Sequence, residues 1–115
     1  MKLMVNKYGE VTIATLEEAR LDAALSVRFK EGMREVAESE ADDVVLDLSQ
    51  VMFMDSSGLG AVVAVMKMMG REKTFRIAGL TPAVDKVFKL TRMDSVFKIL
   101  DSAEDALHDS SHSTG

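Results

Sequence analysis

The chain has 115 residues, of which 47% are hydrophobic and none is cysteine, and it carries a formal charge of −5 at pH 7. That length bounds it to one domain with enough apolar material for a core without covalent staples, and the absent thiols exclude disulfides, thiol catalysis and cysteine-held metals. The acidic balance argues against a nucleic-acid partner, because neutralising phosphates needs clustered Lys and Arg.

Residues 1–5 form a short apolar start that Asn6 and Lys7 interrupt. It is too short for a signal peptide, and no window approaches the roughly 18 apolar residues of a membrane span. A cytoplasmic protein without direct membrane insertion is expected. Residues 2–8 and 10–16 read as two strands joined at Gly9 in a tight hairpin, with Val11, Ile13 and Thr15 sharing one face by alternation. From Asp22 the period changes. Leu25, Phe29, Met33, Val36 and Ala37 recur at helical spacing among charged residues, so an amphipathic helix follows with Asp22 as its N-cap. Residues 44–48, VVLDL, read as a buried central strand.

The stretch MFMDSSGLGAV, residues 52–62, then breaks a hydrophobic run with an acid, two serines and a glycine. Its hydroxyls suit a helix cap, a nucleophile, a phosphate cradle or a modification target. A helix is expected over 59–70, with Leu59, Val62, Val63 and Met66 as its core stripe. Ala61, Val65, Met68 and Met69 are apolar too, and Lys67 is the only charge. A helix apolar nearly all round is either buried or offers a second side to a partner, where methionine adapts. Residues 74–78 read as a strand. Thr81-Pro82 opens a helix with a capping hydroxyl and a first-turn proline, and Val84, Val87, Phe88 and Thr91 give that helix its inward face. Residues 96–100 are expected to form a short strand and 102–107 a last turn or two of helix. The polar tail, residues 108–115, is expected to be disordered. His108 and His112 stand four apart in it with no further ligand pattern, so neither a metal nor a cofactor is expected.

The element order is β-β-α-β-α-β-α-β-α, which predicts an α/β fold: a mixed sheet with an opening hairpin and about four helices packed on it. Sites in such sheets gather in loops that follow the carboxyl ends of strands, where Ser56 and Ser57 fall.

VVLDLSQVMFMDSSGLGAVVAV resembles the signature of STAS domains, especially the bacterial anti-sigma factor antagonists. The resemblance spans residues 1–107 in length and element order. The earlier ARLDAA is similar to the family's Gly-x-Leu-Asp, with Ala19 where glycine is usual. The resemblance implies partner switching. The second serine of D-S-S-G, here Ser57, would be phosphorylated by an anti-sigma factor that is also a serine kinase. The unmodified protein would bind that kinase and free a sigma factor, phosphorylation would end the binding, and a serine phosphatase would restore it. Asp22, Asp55, Ser56, Gly58, Leu59 and Gly60 would lie on the partner-facing surface, the glycines allowing close approach to the hydroxyl. The fold also serves as an accessory STAS subunit of membrane transport systems, which is the alternative. No catalysis by this chain is expected: D-S-S-G is not the G-x-S-x-G elbow, both histidines are in the tail, and a carboxylate with a pKa of about 3.9 is a poor base.

Overall fold

The computed structural model describes residues 1–112, with side chains through residue 108. Strands β1 (Leu3–Tyr8) and β2 (Val11–Leu16) form the opening hairpin, with Tyr8 opposite Val11 and Gly9 at φ 62° in the two-residue turn. That positive φ costs glycine nothing and is why the chain can reverse so sharply there. A short strand β3 (Arg20–Leu21) leads into helix α1 (Ala23–Glu38). Strand β4 (Asp43–Asp47), a second short strand β5 (Phe53–Met54) and helix α2 (Ser56–Met69) follow. Then come β6 (Thr74–Ala78), α3 (Pro82–Leu90), a 3-10 turn at Met93–Ser95, β7 (Lys98–Leu100) and α4 (Glu104–His112).

The main sheet has five strands in the order β1-β2-β4-β6-β7, and only the β1–β2 pair is antiparallel. Right-handed crossovers in one direction along a sheet place their helices on one face. Phe29 and Met33 of α1, Val62 and Val65 of α2, and Val84 and Phe88 of α3 accordingly share one buried cluster with Ala14, Leu46 and Ile77. The opposite face is covered by α4, whose Ala106 meets Val11, Ile13, Val45 and Ala78. Helices on both faces explain why residues 11–14 are all buried, where alternation alone marked only Val11, Ile13 and Thr15. On the α4 face the nearly buried guanidinium of Arg76 donates from Nη2 to both oxygens of Asp43 at 3.1 Å.

Five expectations need correction. Helix α2 begins at Ser56, not Leu59, because Asp55 caps it ahead of the serines. Its buried stripe is Gly58, Ala61, Val62, Val65 and Met69, while Leu59, Val63 and Met66 are only partly buried beside it. That rotation follows from α2 packing against α1, the sheet and the backbone of β3, where Gly58 takes the closest contact. Thr81 stands at the N-cap of α3, yet its hydroxyl donates to the Val51 carbonyl at 2.6 Å instead of capping the helix. The expected strand over 96–100 shortens to Lys98–Leu100, since Arg92 at φ 60° starts a 3-10 turn that turns Phe97 into the core. Helix α4 continues to His112, five residues past the expected end. The rest of the expected disordered tail, residues 113–115, lies outside the described residues.

Phe88 is fully buried and stands edge-on to Phe97, ring centroids 5.8 Å apart. Phe88→Ala leaves a cavity under α3 and is expected to cost about 3–5 kcal/mol of folding free energy, measured by urea denaturation. A loss below 1 kcal/mol would show that α3 is not anchored there.

Candidate functional site

The residues singled out from sequence converge at the carboxyl end of the parallel strands, where α1 and α2 begin side by side. The two-residue strands β3 and β5 pair in parallel, Arg20 with Phe53 and Leu21 with Met54, as a separate ribbon. The ribbon is extended by the Ala19 carbonyl, which accepts from the N–H of Met52 at 2.7 Å and of Phe53 at 3.1 Å. Ala19 does not adopt a positive φ, so the turn there does not require the glycine usual in the family.

Each ribbon strand hands the chain to a helix through an aspartate. Asp22 caps α1, its Oδ1 accepting from the Leu25 N–H at 3.2 Å. Asp55 caps α2, its Oδ1 accepting from the Gly58 N–H at 2.8 Å. The second Asp55 oxygen, Oδ2, accepts from the N–H of Ala23, the first residue of α1, at 3.2 Å. One carboxylate thus serves two helix starts, each of which has N–H groups without intrahelical partners. Helix packing is equally close. A Cβ built on Gly58 would lie 2.0 Å from the Leu21 carbonyl oxygen, so the first turn of α2 rests directly on the backbone of β3. Gly58 is therefore buried and does not face outward; its missing side chain admits Leu21 of the same chain, and the open approach expected for both glycines falls to Gly60, where a Cβ would meet nothing within 4 Å.

Ser56 and Ser57 are the first two residues of α2 and both are exposed. With Asp55 capping the helix, neither hydroxyl is needed for structure, and among the described residues neither has a hydrogen-bond partner. Leu59 is half-buried against the core, and Asp22 and Asp55 are half-buried at the helix starts. Both Asp55 oxygens accept main-chain N–H groups, and His108 lies on α4 across the sheet. No general base therefore stands poised beside Ser57 among the described residues, and no three His, Asp or Glu side chains gather there as a metal site.

Three residues of this surface escaped sequence reasoning. Arg20 donates from Nε to Asp22 Oδ2 at 3.4 Å and lays its guanidinium 4.1 Å over the centre of the Phe53 ring. Phe53 is 40% exposed and Met52 59% exposed, an unusual placement for large apolar side chains beside two unengaged hydroxyls. Both stand in the apolar V-M-F-M run before the acid, in which Val51 and Met54 are buried and the adjacent Met52 and Phe53 are exposed.

Residues 2–106 match the STAS domain family. The chain is 26% identical over 97 residues to the anti-sigma-B factor antagonist of Staphylococcus aureus, covering 84% of this chain and 81% of that protein. Among solved structures it is similar to an anti-sigma factor antagonist from Mycobacterium paratuberculosis, with a TM-score of 0.85, 24% identity and coverage of 94% and 92% of the two chains. It also shares the fold of a sulfate transporter family protein from Wolinella succinogenes, with a TM-score of 0.75, 15% identity and coverage of 90% and 87%.

The two glycines at the start of α2 make opposite expectations. Gly58→Ala drives a methyl group into the Leu21 carbonyl and is expected to destabilise the fold by at least about 3 kcal/mol, the upper end of ordinary overpacking. Gly60→Ala fills open space in an exposed helical position and is expected to stabilise by about 0.5–1 kcal/mol. Thermal melts of the two variants beside the parent check both signs.

Proposed function

Since the chain belongs to the STAS domain family, we propose that it is an anti-sigma factor antagonist, cytoplasmic and itself without catalytic activity, whose binding to an anti-sigma factor is switched by phosphorylation of Ser57. The observation that carries this reading is the division of labour at the start of α2: Asp55 caps the helix, and the exposed Ser57 hydroxyl is left without a structural task. The anti-sigma factor supplies the serine kinase activity. The Ser57 oxygen attacks the γ-phosphorus of ATP held by that partner, its proton passes to a base of the partner, and ADP leaves. A serine phosphatase hydrolyses the phosphoester and restores binding. Asp22, Asp55, Ser56, Leu59 and Gly60 frame the surface, and the absent side chain at Gly60 lets the partner's backbone come near.

Within the domain the added phosphate has small, opposed effects. It brings roughly −1.5 to −2 charges to the positive end of a helix dipole, worth about 0.3–1 kcal/mol when exposed, while the neighbouring Asp55 repels it. The fold is therefore expected to keep its shape. In the complex, a phosphate buried without a cation leaves a charge unpaired, which costs about 2–5 kcal/mol, or roughly thirty- to several-thousand-fold in affinity. The switch is a block at the surface. The transport-subunit reading rests on fold likeness alone, since that neighbour is 15% identical, whereas the intact D-S-S-G sequence favours the switch.

Incubation with the cognate kinase and ATP, followed by mass spectrometry, is expected to place phosphate on Ser57. Ser57→Ala abolishes labelling and Ser56→Ala leaves most of it; phosphate on Ser56 or on the tail serines alone would refute the assignment. Phosphorylated protein titrated into the partner is expected to bind at least thirtyfold more weakly, with amide NMR shifts confined to the start of α2. Shifts spread across the sheet, or unchanged affinity, would sink the surface-block mechanism.

A further inference from the structure

The two edges of the main sheet are not alike. Strand β7 is only three residues long, a length that discourages pairing with another chain. Strand β1 is six residues long and, among the described residues, pairs with β2 alone. It contains no proline, the chain's only one being Pro82. Natural edges are commonly blunted by proline, bulges, shortness or charge, and β1 carries only Lys7 near its end. Met4, Val5 and Tyr8 are 41%, 46% and 49% exposed.

The hydrogen-bond phase of the hairpin fixes which groups β1 offers. The Glu17 N–H donates to the Lys2 carbonyl at 2.9 Å, and the register sets Leu3 opposite Leu16. Narrow and wide pairs alternate in an antiparallel ladder. Lys2, Met4, Asn6 and Tyr8 therefore turn their main-chain groups toward β2, and Leu3, Val5 and Lys7 turn theirs outward. Beside this free edge runs a groove of about 410 Å³, lined by Met1, Leu3 and Val5 on the strand side and by Gly32, Glu35 and Val36 on the α1 side.

We propose that β1 is a self-association surface, and that its occupant is β1 of a second copy of this chain, paired antiparallel about a two-fold axis through Val5. In that register Leu3 faces Lys7 of the other copy and Val5 faces Val5, so all three outward pairs meet in hydrogen-bonding phase and exchange about six main-chain bonds. Opposed residues share a face. The Lys7 side chain of each copy is thereby set against Leu3 of the other, beside the groove where Glu35 stands. The two-fold closes two Lys7–Glu35 pairs at once, and this charge match singles out a second copy over an arbitrary strand. The axis is perpendicular to the sheet, so the two sheets become one of ten strands with α1, α2 and α3 of both copies on one side.

Sedimentation equilibrium of the full chain from micromolar to millimolar concentration tests this. The parent protein is expected to pass from monomer toward dimer. Val5→Lys sets two like charges face to face on the axis and is expected to raise the dissociation constant about tenfold or more, with an unchanged circular dichroism spectrum because the site is half-exposed. Glu35→Lys weakens association likewise, and the charge-swapped pair Lys7→Glu with Glu35→Lys restores it. A parent protein monomeric throughout, a dimer indifferent to both single variants, or a swap that fails to restore association overturns the proposal.

Discussion

The carbonyl oxygen of Leu21 and the α-carbon of Gly58 are in contact, and most of the site's geometry depends on that contact. A side chain at residue 58 would hold α2 off the β3–β5 ribbon. Without one, the first turn of α2 comes down onto the backbone that leads into α1, and the two helix starts come near enough for one carboxylate to serve both. Asp55 then closes the joint, accepting from Gly58 at 2.8 Å and from Ala23 at 3.2 Å. Glycine supplies the proximity and aspartate exploits it. Replacing either would separate α1 from α2 at the surface where Ser57 is displayed.

This joint also explains how a serine can sit at the first turn of a helix and remain free for chemistry. Serine at the N-cap itself ordinarily spends its oxygen accepting a first-turn N–H group. Here the capping falls to Asp55, so the Ser57 oxygen is not spent on a first-turn N–H group. Under the proposed switch, capping and modification reside in neighbouring side chains, so one can change without the other. The exposed Phe53 and Met52 beside them, and Arg20 stacked on Phe53, give the same surface an apolar component that suits a protein partner more than a small ligand.

Much of this was legible in the sequence because periodicity and turn chemistry speak directly about long elements. Gly9 marked the hairpin, Asp22 the start of α1, and VVLDL the central strand. The ribbon was not legible: Arg20–Leu21 and Phe53–Met54 are two residues each, too short for any alternation to register, and they are strands only because they meet each other. The core stripe of α2 was displaced for a related reason. Hydrophobicity ranks Leu59, Val63 and Met66 above Gly58 and Ala61, but the tight contacts with β3 and α1 select for smallness, a property no hydropathy pattern reports. D-S-S-G was readable as a candidate site, yet which of its residues caps and which stays free required the hydrogen bonds. Burial of both sheet faces was hidden because, among the described side chains, α4 reaches the second face with only Ala106 and Leu107.

The strand order β1-β2-β4-β6-β7 rises without a break along the chain. Each new strand of the main sheet is added outside the one before, and none has to be threaded between two that are already paired. A chain emerging from the ribosome can therefore build its sheet from one side to the other, each strand finding its neighbour complete and its own outer edge vacant. The growing front comes to rest at the short strand β7, while the outer edge of β1, laid down first, stays open throughout. Sheets that reverse direction at their centre must grow at two fronts, and this one grows at only one.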